Sequence, residues 1–237
     1  MLIKANCCYS GKDLEAMSFA VNYHKWIVDE FGPFLGDSVA EVGAGTGSVS
    51  KLLLEKPIKR LLAFEPSANM YPLLEELIDD VRAELFNDFF DLQLVERPLD
   101  SVVYINVLEH INDDVAELAK ALKALKPTGH VLLFVPALPR LYSSFDAEIG
   151  HFRRYKKNDL IDLVTRIGFR VVKARYFDFA GIIPWYINFV LFQGSLGAAR
   201  TALYDRFVVP LVRIVETVVA PFIGKNVMLI GEKPKYI

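Results

Sequence analysis

A doubly wound α/β fold is predicted: seven strands in a mostly parallel sheet, with an apolar helical cap inserted before the last strand. Three observations predict it. Short apolar runs alternate with segments of helical periodicity along most of the chain, as βαβ units do. The first of these runs ends in three alternating glycines behind an acid, Glu41-Val42-Gly43-Ala44-Gly45-Thr46-Gly47. One segment, residues 178–224, breaks the alternation with a long, sparsely charged sequence.

The elements follow in order. Leu14, Met17, Ala20, Val21, Tyr23, Trp26 and Ile27 recur at helical spacing, which predicts an amphipathic helix over 12–31, part of an N-terminal segment drawn as 12–35. Strands are expected near 37–43, 60–65, 81–86, 100–106, 130–136, 169–177 and 226–232. Helices should fill 46–56, 67–79, 113–125 and 156–167, the third opened by Asn112-Asp113-Asp114 and the last ended by Gly168. At 237 residues the chain can bury a full core as a single domain, 1–237.

Composition removes several classes of function. With 27 Lys and Arg against 29 Asp and Glu, the chain offers no basic footprint for duplex nucleic acid, and no nucleic-acid partner is expected. Cys7 and Cys8 are adjacent and make a poor disulfide framework. No charged-then-apolar leader precedes Lys12, so a reducing cytoplasm is the expected compartment.

The glycine turn carries the chemistry. Glycines at 43, 45 and 47 allow a sharp turn and are expected to bring bare N–H groups near a ligand, beside the charge of Glu41. A dinucleotide turn has its third glycine one residue later, where this chain has Ser48, and a carboxylate at 41 suits an amino group and a sulfonium better than a pyrophosphate. On these residues the turn resembles motif I of the class I S-adenosylmethionine (SAM) methyltransferases. Two further matches come in the family's order. The run at 60–64 closes on Glu65-Pro66, and the run at 100–106 enters Asn106-Val107-Leu108-Glu109-His110-Ile111, with Leu125-Lys126-Pro127-Thr128-Gly129 beyond.

The resemblance implies a Rossmann-like sheet with an antiparallel last strand, and SAM as cofactor. It implies that Glu41, Gly43, Ala44, Gly45 and Gly47 surround the methionine moiety. Glu65 would take the ribose hydroxyls, Pro66 and Met70 would lie beside the adenine, and Asp88 would meet its amino group. Asn106 and Val107 would close the pocket through their backbone, and Tyr23 would fold over the cofactor.

A second polar constellation runs over 145–155 and includes Asp146, Gly150, His151, Arg153, Arg154 and Tyr155. It resembles the G-H-x-R-R-Y stretch that a subgroup of small-molecule, glycan and lipid methyltransferases carries after strand five. Two readings stand: a solvated basic loop capping the next helix, or an acceptor-facing loop in which His151, Arg153 and Tyr155 act on the substrate. Transfer from a sulfonium mainly needs alignment and desolvation, and a base is needed only for a hydroxyl or a protonated amine. His151 is the favoured base and His110 the second candidate. His24 and His130 read as structural. Ubiquinone-pathway O-methyltransferases bind a divalent metal with an acid three residues before this Glu-His pair. Asn106 stands in that place, so no metal is expected.

The cap at 178–224 holds two apolar stretches, 179–192 and 207–223, each too short to span a bilayer. It reads either as a lid that buries its own apolar face or as the wall of an apolar acceptor pocket that touches a membrane. Arg170, Lys173, Arg175, Arg200, Arg206, Arg213 and Lys225 outnumber Asp178, Asp205 and Glu216 there, which leans toward the second. The expected function is methyl transfer to a small-molecule or lipid- or glycan-linked acceptor, with weak peripheral contact at the inner membrane face. The alternatives are a SAM-binding module without transfer and, against the glycine spacing, a nicotinamide-dependent oxidoreductase.

Overall fold

The apolar runs become strands β1 (Ser38–Val42), β2 (Arg60–Phe64), β3 (Ala83–Phe86), β4 (Leu99–Ile105), β5 (Leu125–Pro136), β6 (Arg170–Phe177) and β7 (Asn226–Glu232). The computed structural model describes residues 20–192 and 197–235. These strands form one sheet in the order β3-β2-β1-β4-β5-β7-β6. Only β7 runs antiparallel to its neighbours.

Successive side chains on a strand point to opposite faces, and the central strands are apolar on both because helices cover both. On one face, α4 (Asp114–Ala124) and α6 (Lys157–Ile167) send Leu118, Leu160 and Val164 against Val102, Leu133 and Leu229. On the other, α1 (Val21–Phe31) sends Trp26, Ile27 and Phe31 against Val103, Phe134 and Met228. The remaining helices before the cap are α2 (Ser48–Leu54), α3 (Tyr71–Leu77) and α5 (Ser144–Glu148). From β1 the chain winds outward through β2 and β3, then returns to place β4 on the other side of β1. That reversal opens a crevice at the carboxyl ends of β1 and β4, where open α/β sheets take their ligands.

Some boundaries differ from expectation. The described helix starts at Val21, and Cys7, Cys8, Leu14 and Met17 lie outside the described residues. β5 begins at Leu125 rather than near 130, because the Thr128 N–H donates to the Lys233 carbonyl, the Lys233 N–H donates to the Gly129 carbonyl, and Gly129 lets the chain pass close to β4. A Cβ at Gly129 would sit 3.0 Å from the carbonyl oxygen of Asp100. Helix α5 was not expected; Ser143 and Asp146 form a capping box at its start.

The cap between β6 and β7 is helical, in pieces. It comprises α7 (Ile182–Trp185), a π-helical turn (Tyr186–Leu191), α8 (Ala198–Leu203), a second π-helical turn (Tyr204–Val208) and α9 (Val209–Val218). It is anchored to α1, whose N-terminus has no capping side chain of its own. Asp205 supplies one, accepting from the N–H groups of Asn22 at 3.0 Å and Tyr23 at 2.8 Å. Val209 and Val212 join the core beside Trp26 and Phe177. Among the described residues no helix is long and apolar enough to cross a membrane.

Candidate active site

The crevice holds a cavity of about 300 Å³, bounded by the glycine turn, the ends of β2 and β4, the loop through His151 and the cap residue Trp185. At the turn, Gly43, Gly45 and Gly47 all take positive φ, which side chains rarely adopt. A Cβ on Gly43 would lie 2.6 Å from Val107 Cγ2, so the β1 and β4 ends meet there only because position 43 is bare.

The N–H groups of Gly43, Ala44, Gly45 and Gly47 are taken by protein acceptors, which corrects the expectation that the glycines present theirs bare. Gly43 and Ala44 donate to the carbonyl of Phe64 at 2.8 and 2.9 Å, and Gly47 donates to Ala44 at 2.9 Å. Gly45 donates to Glu65 Oε2 at 2.7 Å, and Ser67 N–H takes Oε1 at 2.8 Å. Glu41 is buried and accepts from Ser50 Oγ at 2.5 Å. Burial raises its carboxyl to about 8, and the nearby charge of Glu65 pushes the same way. Glu65, together with Glu41 once a cation draws off its proton, disfavours a pyrophosphate and suits a cation.

Across the cavity the polar groups are arranged differently. Glu109 is fully buried, and neither carboxylate oxygen has a hydrogen-bond partner. Burial raises its carboxyl to about 7. His151 Nε2 lies 3.8 Å from Glu109 Oε1, while its Nδ1 is 2.9 Å from Asp146 Oδ1. An ionised Asp146 can only accept, so Nδ1 carries the N–H of that contact and Nε2 is the ring nitrogen turned toward Glu109. Asp146 is buried, but His151 and Arg154 hold it below the usual carboxylate range. The rings of His110 and His151 stand edge to face at 4.5 Å. Burial and the neighbouring His151 lower His110 to about 4, so it is neutral and weakly basic. Phe145, Ile149 and Trp185 complete this end, with Trp185 Nε1 buried and unpartnered.

The structure brings together most residues singled out in the sequence. Tyr23, Glu41, Gly43, Ala44, Gly45, Glu65, Pro66, Asn106, Val107, His110 and His151 all line the cavity. Asn106 does so in a left-handed conformation, φ 53°. Gly47, Met70, Asp88, Arg153 and Tyr155 are not in the lining. Gly47 caps α2 against Leu74, Met70 caps α3, and the Asp88 side chain turns back to the N–H of Phe89. Arg153 and Tyr155 both hold Asp114, at 2.7 and 2.9 Å, and so clamp the loop to α4 instead of facing an acceptor.

Arg154, not Arg153, lies against the cavity, with its guanidinium on Asp146 at 2.8 Å and 4.6 Å from the Trp185 ring. His24 reaches the lining too, though it read as structural, while His130 packs on Phe34 at the far side. Glu109, Asp146 and Trp185 were the residues whose roles the sequence did not reveal. Ser143-x-x-Asp146 was a readable capping signal; the reading of the cap as a pocket wall did not single out Trp185.

A glycine turn flanked by two acids thus stands at the switch point of a doubly wound sheet, across one cavity from Glu109, His110 and His151. The chain belongs to the methyltransferase-domain family, whose model matches residues 21–174. It is similar to an uncharacterized methyltransferase of Geobacillus sp. strain WCH70, 29% identical over 158 residues, 66% of this chain and 73% of that one. In fold it is similar to a SAM-dependent methyltransferase of Archaeoglobus fulgidus, with TM-score 0.62 at 16% identity over 93% of this chain and 99% of that one. A chain of the complex between the Haloferax volcanii Trm112 methyltransferase activator and a methyltransferase gives TM-score 0.64 at 19% identity, covering 94% and 93%. The protein is a SAM-dependent methyltransferase.

Proposed function

We propose that the enzyme methylates a hydroxyl or amine of a small-molecule or lipid-linked acceptor, held between the SAM methyl group and Glu109, His151 and Trp185. The observation that carries this reading is Glu109, a buried carboxylate in the cavity wall with both oxygens unpartnered. Such a group costs about 1–3 kcal/mol or more unless something donates to it. Trp185 Nε1 is its counterpart, a donor without an acceptor. A substrate bearing both an O–H or N–H and a lone pair satisfies the two together.

In the transfer, the acceptor oxygen or nitrogen attacks the methyl carbon. SAM bound at the turn would supply the methyl group and keep the electron pair of the carbon–sulfur bond, and the Glu109–His151 pair would take the acceptor's proton. Asp146 fixes the His151 tautomer that can receive it. Glu109, titrating near 7, can share it. On the cofactor side, Glu41 would hold the cationic methionine end and Glu65 and Pro66 the ribose and adenine, while Tyr23, packed on Phe134 and Phe177 with its hydroxyl on Asn226, would wall the pocket rather than fold over it.

A second reading of the same cluster has one specific support. Glu109, His110 and His151 can each bring a ligand atom within 4.8 Å of the others, His151 supplying from the loop the ligand that Asn106 does not. A divalent cation there would lower the acceptor's pKa in place of a base. Incubation with methyl-labelled SAM and aqueous or organic extracts, with and without chelator, tests both. Label entering an extracted molecule, and lost in Glu109→Gln, is expected. Full loss on chelation favours the cation, and label in no fraction overturns the reading.

A further inference from the structure

The cap is apolar on two faces, and only one of them is buried. Along α8, the second π-helical turn and α9, Asp205, Val209, Val212 and Glu216 recur at helical spacing and face the core. The opposite stripe runs Leu203, Phe207, Leu211, Ile214 and Val218, all exposed, Val218 by 81%. A solvent-facing helix stripe is normally polar, so this pattern is inverted. The first cap segment repeats the design. Trp185 and Phe189 pack inward on Phe145, while Ile183, Ile187 and Leu191 point outward one turn apart. Phe222, after α9, is 90% exposed.

The charges are sorted in the same sense. Between 178 and 225 the acids are Asp178, Asp205 and Glu216, and all three are buried. Asp178 bonds the Tyr204 hydroxyl, Asp205 caps α1, and Glu216 holds Arg175. The exposed charges described on this segment are Arg200 and Arg206. Among the described residues, the outer surface of the cap therefore carries exposed apolar side chains and cations and no exposed carboxylate. A protein partner of ordinary composition would not demand that every carboxylate be withdrawn; an anionic lipid surface does.

We propose that the outer face of the cap seats the enzyme on an anionic bilayer. Ile183, Leu203, Phe207, Leu211 and Val218 enter the headgroup boundary there, and Arg200 and Arg206 lie among acidic headgroups. Trp185 belongs to the same cap segment and lines the cavity, so the seated enzyme opens its acceptor pocket beside the membrane. This part rests on the acceptor site proposed above and narrows its substrate to a lipid-linked molecule.

Cosedimentation of the full chain with phosphatidylcholine vesicles containing graded phosphatidylglycerol is the test. Binding should rise with anionic content, fall at least tenfold between low and high salt, and fall by a similar factor in R200E/R206E. L211S/V218S/F222S should abolish it. Thermal midpoint and SAM affinity, measured on each variant, should match the parent, because these side chains are solvent-facing; this separates a failure of docking from a failure of the site. Protein remaining in the supernatant throughout overturns the proposal. So does a dimer that the triple variant converts to monomer without any vesicle binding, which would assign the face to a second copy. Equal binding to uncharged vesicles overturns the role of the arginines.

Discussion

At the glycine turn the N–H groups of Gly43, Ala44, Gly45 and Gly47 are all engaged by protein acceptors, and Glu41 and Glu65 each hold a donor. Across the cavity, Glu109 holds none, and Trp185 Nε1 finds no acceptor. These donors and acids of the first end are paired before any ligand arrives, and they contribute shape and two acids suited to a cation. The second is incomplete and needs a ligand to satisfy it. An end that binds the same cofactor each turnover can be preorganised, whereas one whose hydrogen bonds matter at the reacting atoms gains by leaving them to the substrate.

The largest effect expected from breaking this comparison is at the acceptor end. His151→Ala should lower turnover by roughly 10²–10⁴-fold, the usual range for a positioned acid or base, while SAM affinity stays within about twofold. Single-turnover transfer and calorimetric titration measure the two separately.

At the cofactor end, Gly43→Ala places a Cβ against Val107 in a backbone conformation that alanine disfavours. SAM binding should weaken by at least tenfold and the thermal midpoint should fall. Glu65→Ala should cost about 1–3 kcal/mol of SAM binding, since it removes ribose contacts and also releases the N–H groups of Gly45 and Ser67.

The smallest effect is on pH dependence. Burial raises Glu41 to about 8, so below that pH it is protonated, and a cationic ligand must displace the proton. SAM affinity should therefore rise with pH up to about 8, by at most roughly tenfold per unit, and Glu41→Gln should flatten the profile. The sign reverses for the protein alone. A carboxyl raised above its unfolded value near 4.5 makes the folded state the better proton binder, so stability falls as pH rises between the two values.

Much of this was legible in the sequence because it depends on backbone. Strand runs, the helix stop at Gly168 and the glycine spacing follow from sterics and periodicity, and they fixed the sheet and its switch point. Glu65 and Asn106 reach the cavity lining because they sit at strand ends, whose position the sheet dictates. What stayed hidden depends on side-chain direction in loops. Arg153 and Arg154 are neighbours of one chemistry, yet the bridge between Ala137 and Tyr155 and the clamp on Asp114 send one outward and the other against the cavity. The engagement of the turn's N–H groups was equally hidden, because it depends on the register between β1 and β2.

The division into a completed cofactor end and an incomplete acceptor end is tested most directly by titrating SAM into the parent, Glu41→Gln and Glu109→Gln at pH 8. The expected result is weakened binding in Glu41→Gln and an unchanged dissociation constant in Glu109→Gln. Equal weakening in both variants would contradict the division and make Glu109 part of the cofactor site.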